Sequence, residues 1–444
     1  MRLFLAVIVC KILRFIGGLV GKGSSLPGQF ALKICPDVLG RVKLPANVIA
    51  VTGSNGKTST VEMIAAILQA DGKKVIYNKE GSNQIEGVTT LILSNCSLGG
   101  KMKGDVLLLE SDERYAKYTF QFFHPTHFVI TNLYRDQLTR NGHPEWVYDA
   151  IKPAVFPETT LVLNADDPLV SCFAKGHVSG KVKWFGLDEC SASTKEHRGV
   201  YHDGLRCPVC KGRMEYSRYH YAHIGHYECP SCGHKRHETD FTVTALDLKE
   251  GKLTINQDTE IDLAFKSIYN VYNILAAWSV CSLAGADKRT MAGVINNYML
   301  KNGRMVTFRL GNHRGTLLTS KHENSVAYDT NLGYIADRGE KPCTVLVIVD
   351  AISRKYFTGE TSWLWDVDFD RLNCGHVQRV MLYGKYCSDL AVRFKYTHIP
   401  ADKIEVGENI RTAADFLREN GDEDVYVITC FSDRDKILAH VERD

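Results

Sequence analysis

The chain has 444 residues, 44% hydrophobic and 24% charged, enough to bury more than one core, so two or three domains are expected. Its formal net charge of +3 is spread along the sequence with no run of like charges, which excludes a basic tail and makes nucleic acid an unexpected partner. Of its 14 cysteines, four form two Cys-x-x-Cys pairs and the rest lack regular spacing, as in a protein of the reducing cytoplasm with one metal site and not a disulfide scaffold.

In chain order, the apolar run Leu3 to Cys10 meets Lys11 and Arg14 before it reaches the roughly 20 residues of a membrane span, and no cleavage site follows it. The spacing predicts a helix over Arg2 to Leu19 docked on the first domain, with peripheral contact at a membrane surface as the alternative. A loop containing Pro27 is expected over Gly21 to Gly28. Val48 to Val51 reads as a buried parallel strand, Gly53 to Gly56 as a glycine-bearing loop, and Thr60 to Ala70 as a helix with Val61, Met63, Ile64, Ile67 and Leu68 on one side.

Further strands are predicted at Lys74 to Tyr77, Val106 to Leu109, Phe128 to Ile130 and Thr160 to Leu163. From Tyr201 to Glu238 the composition shifts to Cys, His, Tyr, Gly and basic residues, which marks an inserted module. Regular pattern returns with a strand at Phe241 to Val243 and a helix from Val271 to Ala284. Strands at Thr344 to Val349, Arg379 to Tyr383 and Asp424 to Thr429, with a helix at Thr412 to Leu417, make up the last third. The expected class is α/β: an N-terminal helix and lead-in over 1–46, a doubly wound, mostly parallel sheet over 47–300 with the insertion at 201–238, and a Rossmann-like α/β domain over 301–444.

Two stretches carry chemistry on their own. Gly53-x-x-Gly56-Lys57-Thr58 lies between a buried strand and a helix, so Gly53, Ser54, Asn55, Gly56 and Ser59 offer backbone amides and a helix N-terminus to phosphate. Lys57 adds a positive charge at the β/γ-phosphates and Thr58 a hydroxyl for Mg²⁺, which reads as an ATP site. Cys207, Cys210, Cys229 and Cys232, with 18 residues between the pairs, supply four thiolates for a closed tetrahedral Zn²⁺ site, structural in kind. The nearby His220, His223, His226 and His234 are expected on the surface.

A longer ordered series resembles the Mur ligases, and among them the MurT-type subunits of lipid II isoglutaminyl synthase. It comprises Thr52 to Thr60, Asn78-x-Glu80-Gly81-Ser82-Asn83 with Thr89, Leu109 to Glu113, Thr131 to Leu138, Leu163 to Pro168, Tyr269 to Asn273, and Gly303-Arg304-Met305. The resemblance implies that Glu110 holds a second Mg²⁺, that Asn270 and Asn273 contact the adenine, and that Arg304 contacts the transferred phosphate. It implies an ATP-dependent ligase that makes an acyl phosphate on the α-carboxylate of D-glutamate in lipid II, with ammonia from a GatD-type glutaminase in a heterodimer. A cytoplasmic enzyme at the inner membrane face fits such a substrate, and MurT-type subunits resemble this chain in carrying a cysteine insertion.

The C-terminal third departs from that pattern. After the strand ending at Val349 the chain runs Asp350-Ala351-Ile352-Ser353-Arg354-Lys355-Tyr356-Phe357, where the family resembles Asp-Asn-Ala-Ala-Asp-Gly. Asp350 is the candidate for orienting the glutaminase's histidine, or else caps the turn. Trp363 and Trp365 alternate and are expected in the core, with contact to a partner as the alternative. Ser320 to Asn324, Thr139 and Ser267 also differ from the family's residues. Two other readings remain open: a Mur-type ligase that uses a free amine or amino acid without a glutaminase, and a non-catalytic ATP-binding scaffold.

Overall fold

Apolar runs and turns sort into two units in the computed structural model, one formed by 1–134, 143–197 and 203–300, the other by 135–142, 198–202 and 301–444. The structure describes residues 1–19, 23–78, 83–264, 266–298, 305–337, 341–351, 359–422 and 424–443. The expectations placed on Glu80 to Ser82, Gly303, Arg304 and the 352–358 loop lie outside these residues.

In the first unit the strands are β1 (Asn47–Thr52), β2 (Val75–Tyr77), β3 (Val106–Glu110), β4 (His127–Ile130), β5 (Thr160–Asn164), β6 (Val182–Leu187), β7 (Glu215–Tyr221), β8 (Ile224–Glu228), β9 (Phe241–Asp247), β10 (Lys252–Ile255) and β11 (Thr259–Asp262). Nine of them form one sheet in the order β11-β10-β9-β6-β5-β4-β1-β3-β2, and β7 with β8 forms a separate hairpin. Neighbours from β2 to β9 are parallel, and β10 and β11 close the edge antiparallel. β1 reads as a continuous apolar run because both of its faces are covered. Val48 and Ala50 join Leu107, Leu109, Phe128 and Ile130 in one core, while Ile49 and Val51, on the other side of the pleat, are equally buried.

The N-terminal helix spans Arg2–Leu19 and buries Ala6, Val7 and Cys10 with Ala31, Cys35, Ile92 and Leu93. Lys11 Nζ donates to Ser94 O at 2.9 Å. Among the described residues, no helix is long and apolar enough to cross a membrane. The loop expected through Gly28 is shorter than predicted: Pro27 stands in the first turn of a helix, Leu26–Ile34, where its missing N–H costs no helical hydrogen bond.

In the second unit β12 (Met305–Leu310), β13 (His313–Ser320), β14 (Cys343–Ile348), β15 (Val377–Tyr383), β16 (Ile404–Gly407), β17 (Asp424–Cys430) and β18 (Glu442–Arg443) form a sheet ordered β16-β15-β14-β17-β13-β12-β18. Its centre is parallel, with β12 and β18 antiparallel at one edge. Every residue of β14 is buried. Val345 and Val347 pack with Tyr328, Leu332, Trp363 and Phe369, and Leu346 and Ile348 with Phe308, Leu417 and Val427.

The expectation that both tryptophans are core is corrected here. Ser362–Asp366 is a 3₁₀ turn with three residues per turn, so residues two apart point to different sides. Trp363 is buried, whereas Trp365 is 44% exposed and packs edge-on to Tyr396. The departure at Ser320 to Asn324 has a local reason: Asn324 caps the helix Ser325–Ala336 by accepting from Ala327 N at 2.8 Å, and it donates to Asp136 Oδ1 at 2.6 Å.

Candidate nucleotide site and cysteine cluster

β1 lies third from one edge of its sheet, between β3 and β4 and parallel to both, so the loop that follows it emerges at the carboxyl ends of parallel strands, where α/β sheets bind ligands. Two positions require glycine. Gly53 has φ +133°, and a Cβ there would sit 2.2 Å from Thr131 Oγ1; Gly56 has φ +86°, and a Cβ there would sit 2.0 Å from Asn273 Oδ1. The loop is fastened to the segment after β4: Ser54 N donates to Asn132 O, Asn55 N to Asn132 Oδ1, and Thr131 Oγ1 to Asn55 O, each at 2.9 Å. Ser54 Oγ accepts from Tyr134 N at 3.0 Å and donates to Tyr134 O at 2.9 Å.

The helix Lys57–Ala70 starts directly from this loop. Its first intrahelical bond is Thr60 N to Gly56 O at 2.9 Å, so the amides of Lys57, Thr58 and Ser59 precede the hydrogen-bonded ladder, which is the arrangement that receives phosphate oxygens. Thr58 is exposed. Glu110 is the last residue of β3 and registers beside Val51, so it borders the loop one strand away. Asn270 and Asn273 lie three apart on the helix Ile268–Leu283, which packs on Lys57–Ala70, and that spacing puts both on one face. The structure therefore gathers Gly53 to Ser59, Glu110 and Asn273 at one end of the sheet. Arg304 is outside the described residues.

Lys57 is buried, 7% exposed, and its ammonium donates to Gly53 O, to Ser54 O at 3.3 Å and to the Glu113 carboxylate. Burial pushes the Glu113 carboxyl above the ordinary carboxylate range, and the charge on Lys57 pulls it part of the way back. Sequence reasoning quoted Glu113 within a motif and gave it no role. A third carboxylate, after the strand-end Glu110 and Asp112, was the available signal.

Asp166 and Asp167 follow β5 and are fully buried. Asp166 accepts from Arg236 Nε at 2.6 Å, Tyr272 OH at 2.7 Å and Leu187 N at 2.8 Å, and Asp167 accepts from Leu133 N at 2.7 Å. These bonds tie the insertion and the Ile268–Leu283 helix to the strand ends. The histidine expectation is corrected in part: His220 and His223 are buried, at 6% and 4% exposure, while His226 and His234 are half-buried. Burial lowers the His220 pKa although Asp166 lies 4.0 Å away. For His223 burial acts the same way, but Asp167 at 3.9 Å outweighs it and the pKa is raised.

The four module cysteines converge. Cys207 Sγ is 3.6 Å from Cys232 Sγ, Cys210 Sγ is 3.5 Å from Cys229 Sγ, and all four lie within 4.8 Å of one another. A tetrahedron of thiolates about 2.3 Å from Zn²⁺ requires sulfurs about 3.8 Å apart, so the cluster fits that ion. Tight turns set the spacing, with Lys211 N donating to Cys207 O and Gly233 N to Cys229 O, each at 2.9 Å. No disulfide is formed by any of the 14 cysteines.

Asp350 follows β14 in the second unit. It accepts from Lys385 N at 2.8 Å and is paired with Lys436. Partial burial raises its pKa, but these two partners prevail and hold it below the ordinary carboxylate value. Its own amide and that of Ala351 donate to Asp433 Oδ2, each at 2.9 Å.

A glycine-bearing strand-to-helix loop in a mostly parallel sheet, followed by a second, largely parallel α/β unit, is the architecture of the Mur ligase class. Residues 51–230 match the Mur ligase middle domain, and residues 322–433 match the MurT ligase C-terminal domain. The chain belongs to the MurT family of Mur ligases. It is 30% identical over 425 residues to the lipid II isoglutaminyl synthase (glutamine-hydrolyzing) subunit MurT of Streptococcus pneumoniae, covering 94% of this chain and 92% of the relative. To the subunit of the same name in Staphylococcus aureus it is 27% identical, covering 90% and 89%. A pseudomurein peptide ligase type C from Methanothermus fervidus shares the fold with a TM-score of 0.70 at 20% identity, over 91% of this chain and 80% of that one.

Proposed function

We propose that this chain is the ATP-consuming subunit of a lipid II isoglutaminyl synthase in the cytoplasm. Lys57 and the amides of the first helical turn receive the phosphates of ATP, Asn270 and Asn273 contact the adenine, and Arg304 contacts the phosphoryl group in transfer. Thr58 and Glu110 would hold Mg²⁺, which supplies charge neutralisation at the phosphate oxygens when bound. Lys57 exchanges part of its bonding with Glu113 for phosphate, so the cation stays compensated while buried.

The γ-phosphoryl group passes to the α-carboxylate of D-glutamate in the lipid II stem, giving an acyl phosphate and ADP. Ammonia from a GatD-type glutaminase attacks the acyl carbon; the adduct expels phosphate and loses a proton to leave the amide. The chain's part is to position the reactants and to stabilise charge. Asp350, held ionised by Lys436, orients the glutaminase's histidine, and the four cysteines carry a structural Zn²⁺.

The observation that supports this reading most is the similarity to two MurT subunits over nine-tenths of the chain, with the phosphate loop, Glu110 and Asn273 gathered at one sheet end. The test is phosphate release and lipid II amidation by the chain with ATP, Mg²⁺, glutamine and a GatD-type glutaminase. Activity with a free amino acid and no glutaminase would reassign it to another Mur-type ligation. ATP binding with no phosphate release in the presence of lipid II and either glutamine with the glutaminase or ammonium would leave a scaffold.

A further inference from the structure

The Arg2–Leu19 helix docks through one side only. Phe4, Leu5, Ile12, Phe15 and Ile16 are 49%, 50%, 52%, 74% and 52% exposed. At 100° per residue these five fall within an arc of about 120°, on the opposite side from Ala6, Val7 and Cys10. Ile8 falls within this arc and Val9 just beyond its edge, both half-buried. The polar side chains of the helix are elsewhere: Lys11 donates to Ser94 O, Arg14 to Gly23 O, and Arg2 precedes the stripe. A helix apolar on all sides belongs in an apolar medium, yet here only one side is covered by protein. Leu26 and Phe30 of the next helix, 45% and 41% exposed, add apolar surface to the same N-terminal subdomain.

Charge identifies the occupant. The first 36 residues contain Arg2, Lys11, Arg14, Lys22 and Lys33 and no acidic residue. Lys33 of the next helix lies over the ring of Phe30, 5.4 Å from its centroid, and Arg2 and Lys33 are both exposed. An apolar stripe on a segment whose charged residues are all basic is the pattern of a helix lying in the interface of an anionic bilayer. A second copy of the chain would bring the same excess of cations, since the neighbouring Asp37 is already paired with Arg41.

We infer that the Arg2–Leu19 helix seats the protein on an anionic lipid surface, its Phe4, Leu5, Ile12, Phe15 and Ile16 side chains entering the acyl boundary. This placement is independent of the proposed amidation. The test is flotation of the full chain with vesicles of phosphatidylcholine alone and of phosphatidylcholine mixed with phosphatidylglycerol, with sedimentation velocity on the same samples. The wild type is expected to float with the mixed vesicles, and about tenfold less with the neutral ones or in high salt. The Phe4→Glu/Phe15→Glu double variant should lose at least tenfold of the bound fraction with an unchanged thermal midpoint, since both side chains are exposed. Wild-type protein that stays unbound with mixed vesicles overturns the inference. So does a wild-type dimer that the double variant converts to monomer, which would assign the face to a second copy.

Discussion

Lys57 and Glu113 form a pair in which structural and functional roles can be separated. In Lys57→Ala, Glu113 stays buried and loses the cation that lowers its pKa, so its carboxyl rises further above the ordinary value. Removing one partner of a buried pair costs about 3–5 kcal/mol when the other must remain charged. Because Glu113 can instead take up a proton, a loss of about 2–3 kcal/mol near pH 7 is expected, a fall of roughly 4–10 °C in the first unit's thermal midpoint. The sign follows from the raised pKa: the deficit is small below about pH 4, where the unfolded carboxyl is also protonated, and grows as pH climbs through the folded value. Lys57→Met/Glu113→Gln removes both charges and should regain most of the stability, yet still lose about 100- to 1000-fold in ATP turnover because no cation faces the phosphates. Thermal unfolding across pH and a phosphate-release assay read the two effects. A double variant as unstable as Lys57→Ala, or either variant with full turnover, would refute the reasoning.

Three further outcomes are expected. Asn273→Ala opens the space against Gly56 and removes a polar contact, and should raise the KM for ATP about tenfold with a smaller change in kcat, measured by steady-state kinetics. Cys207→Ser should reduce bound zinc well below one equivalent by elemental analysis and lower the thermal midpoint before it affects nucleotide binding. Asp329, whose carboxyl burial raises to about 7 while it accepts from Asp368 N at 2.8 Å, should make the second unit lose stability as pH rises from about 4 through about 7. Asp329→Asn keeps the acceptor and should gain about 2–4 kcal/mol at pH 8 and nothing at pH 4 in denaturant titrations, since each pK unit is worth about 1.4 kcal/mol.

What could be read from sequence follows from how far apart the deciding residues lie. β1 and β14 are legible because strands covered on both faces must be apolar throughout, and the phosphate loop because its glycines, lysine and threonine are consecutive. β6 escapes because Lys183 and Gly186 break its apolar run, and β12 and β13 because polar residues interrupt theirs. The burial of His223 depends on Asp167, and the pairing of Lys57 on Glu113, partners 56 residues apart in each case. No local pattern encodes such a meeting; strand order does. The tryptophans show the complementary limit, since alternation implies one shared face only in a strand, and three residues per turn undo it.

The same logic explains how a short loop becomes a site. Its amides could form at any strand-to-helix turn, but Glu113 comes from the segment after β3 and Asn273 from a helix laid over Lys57–Ala70. β1 being flanked by β3 and β4 puts a carboxylate on one side of the loop and the Thr131–Asn132 anchor on the other. Glu113 and two backbone carbonyls already surround the buried Lys57 ammonium. Under the proposed function, phosphate would take the place of one of these partners, with no solvated cation to be stripped of water at the moment of binding. The helix start beneath it favours an anion, which under the proposed function is the nucleotide's phosphate.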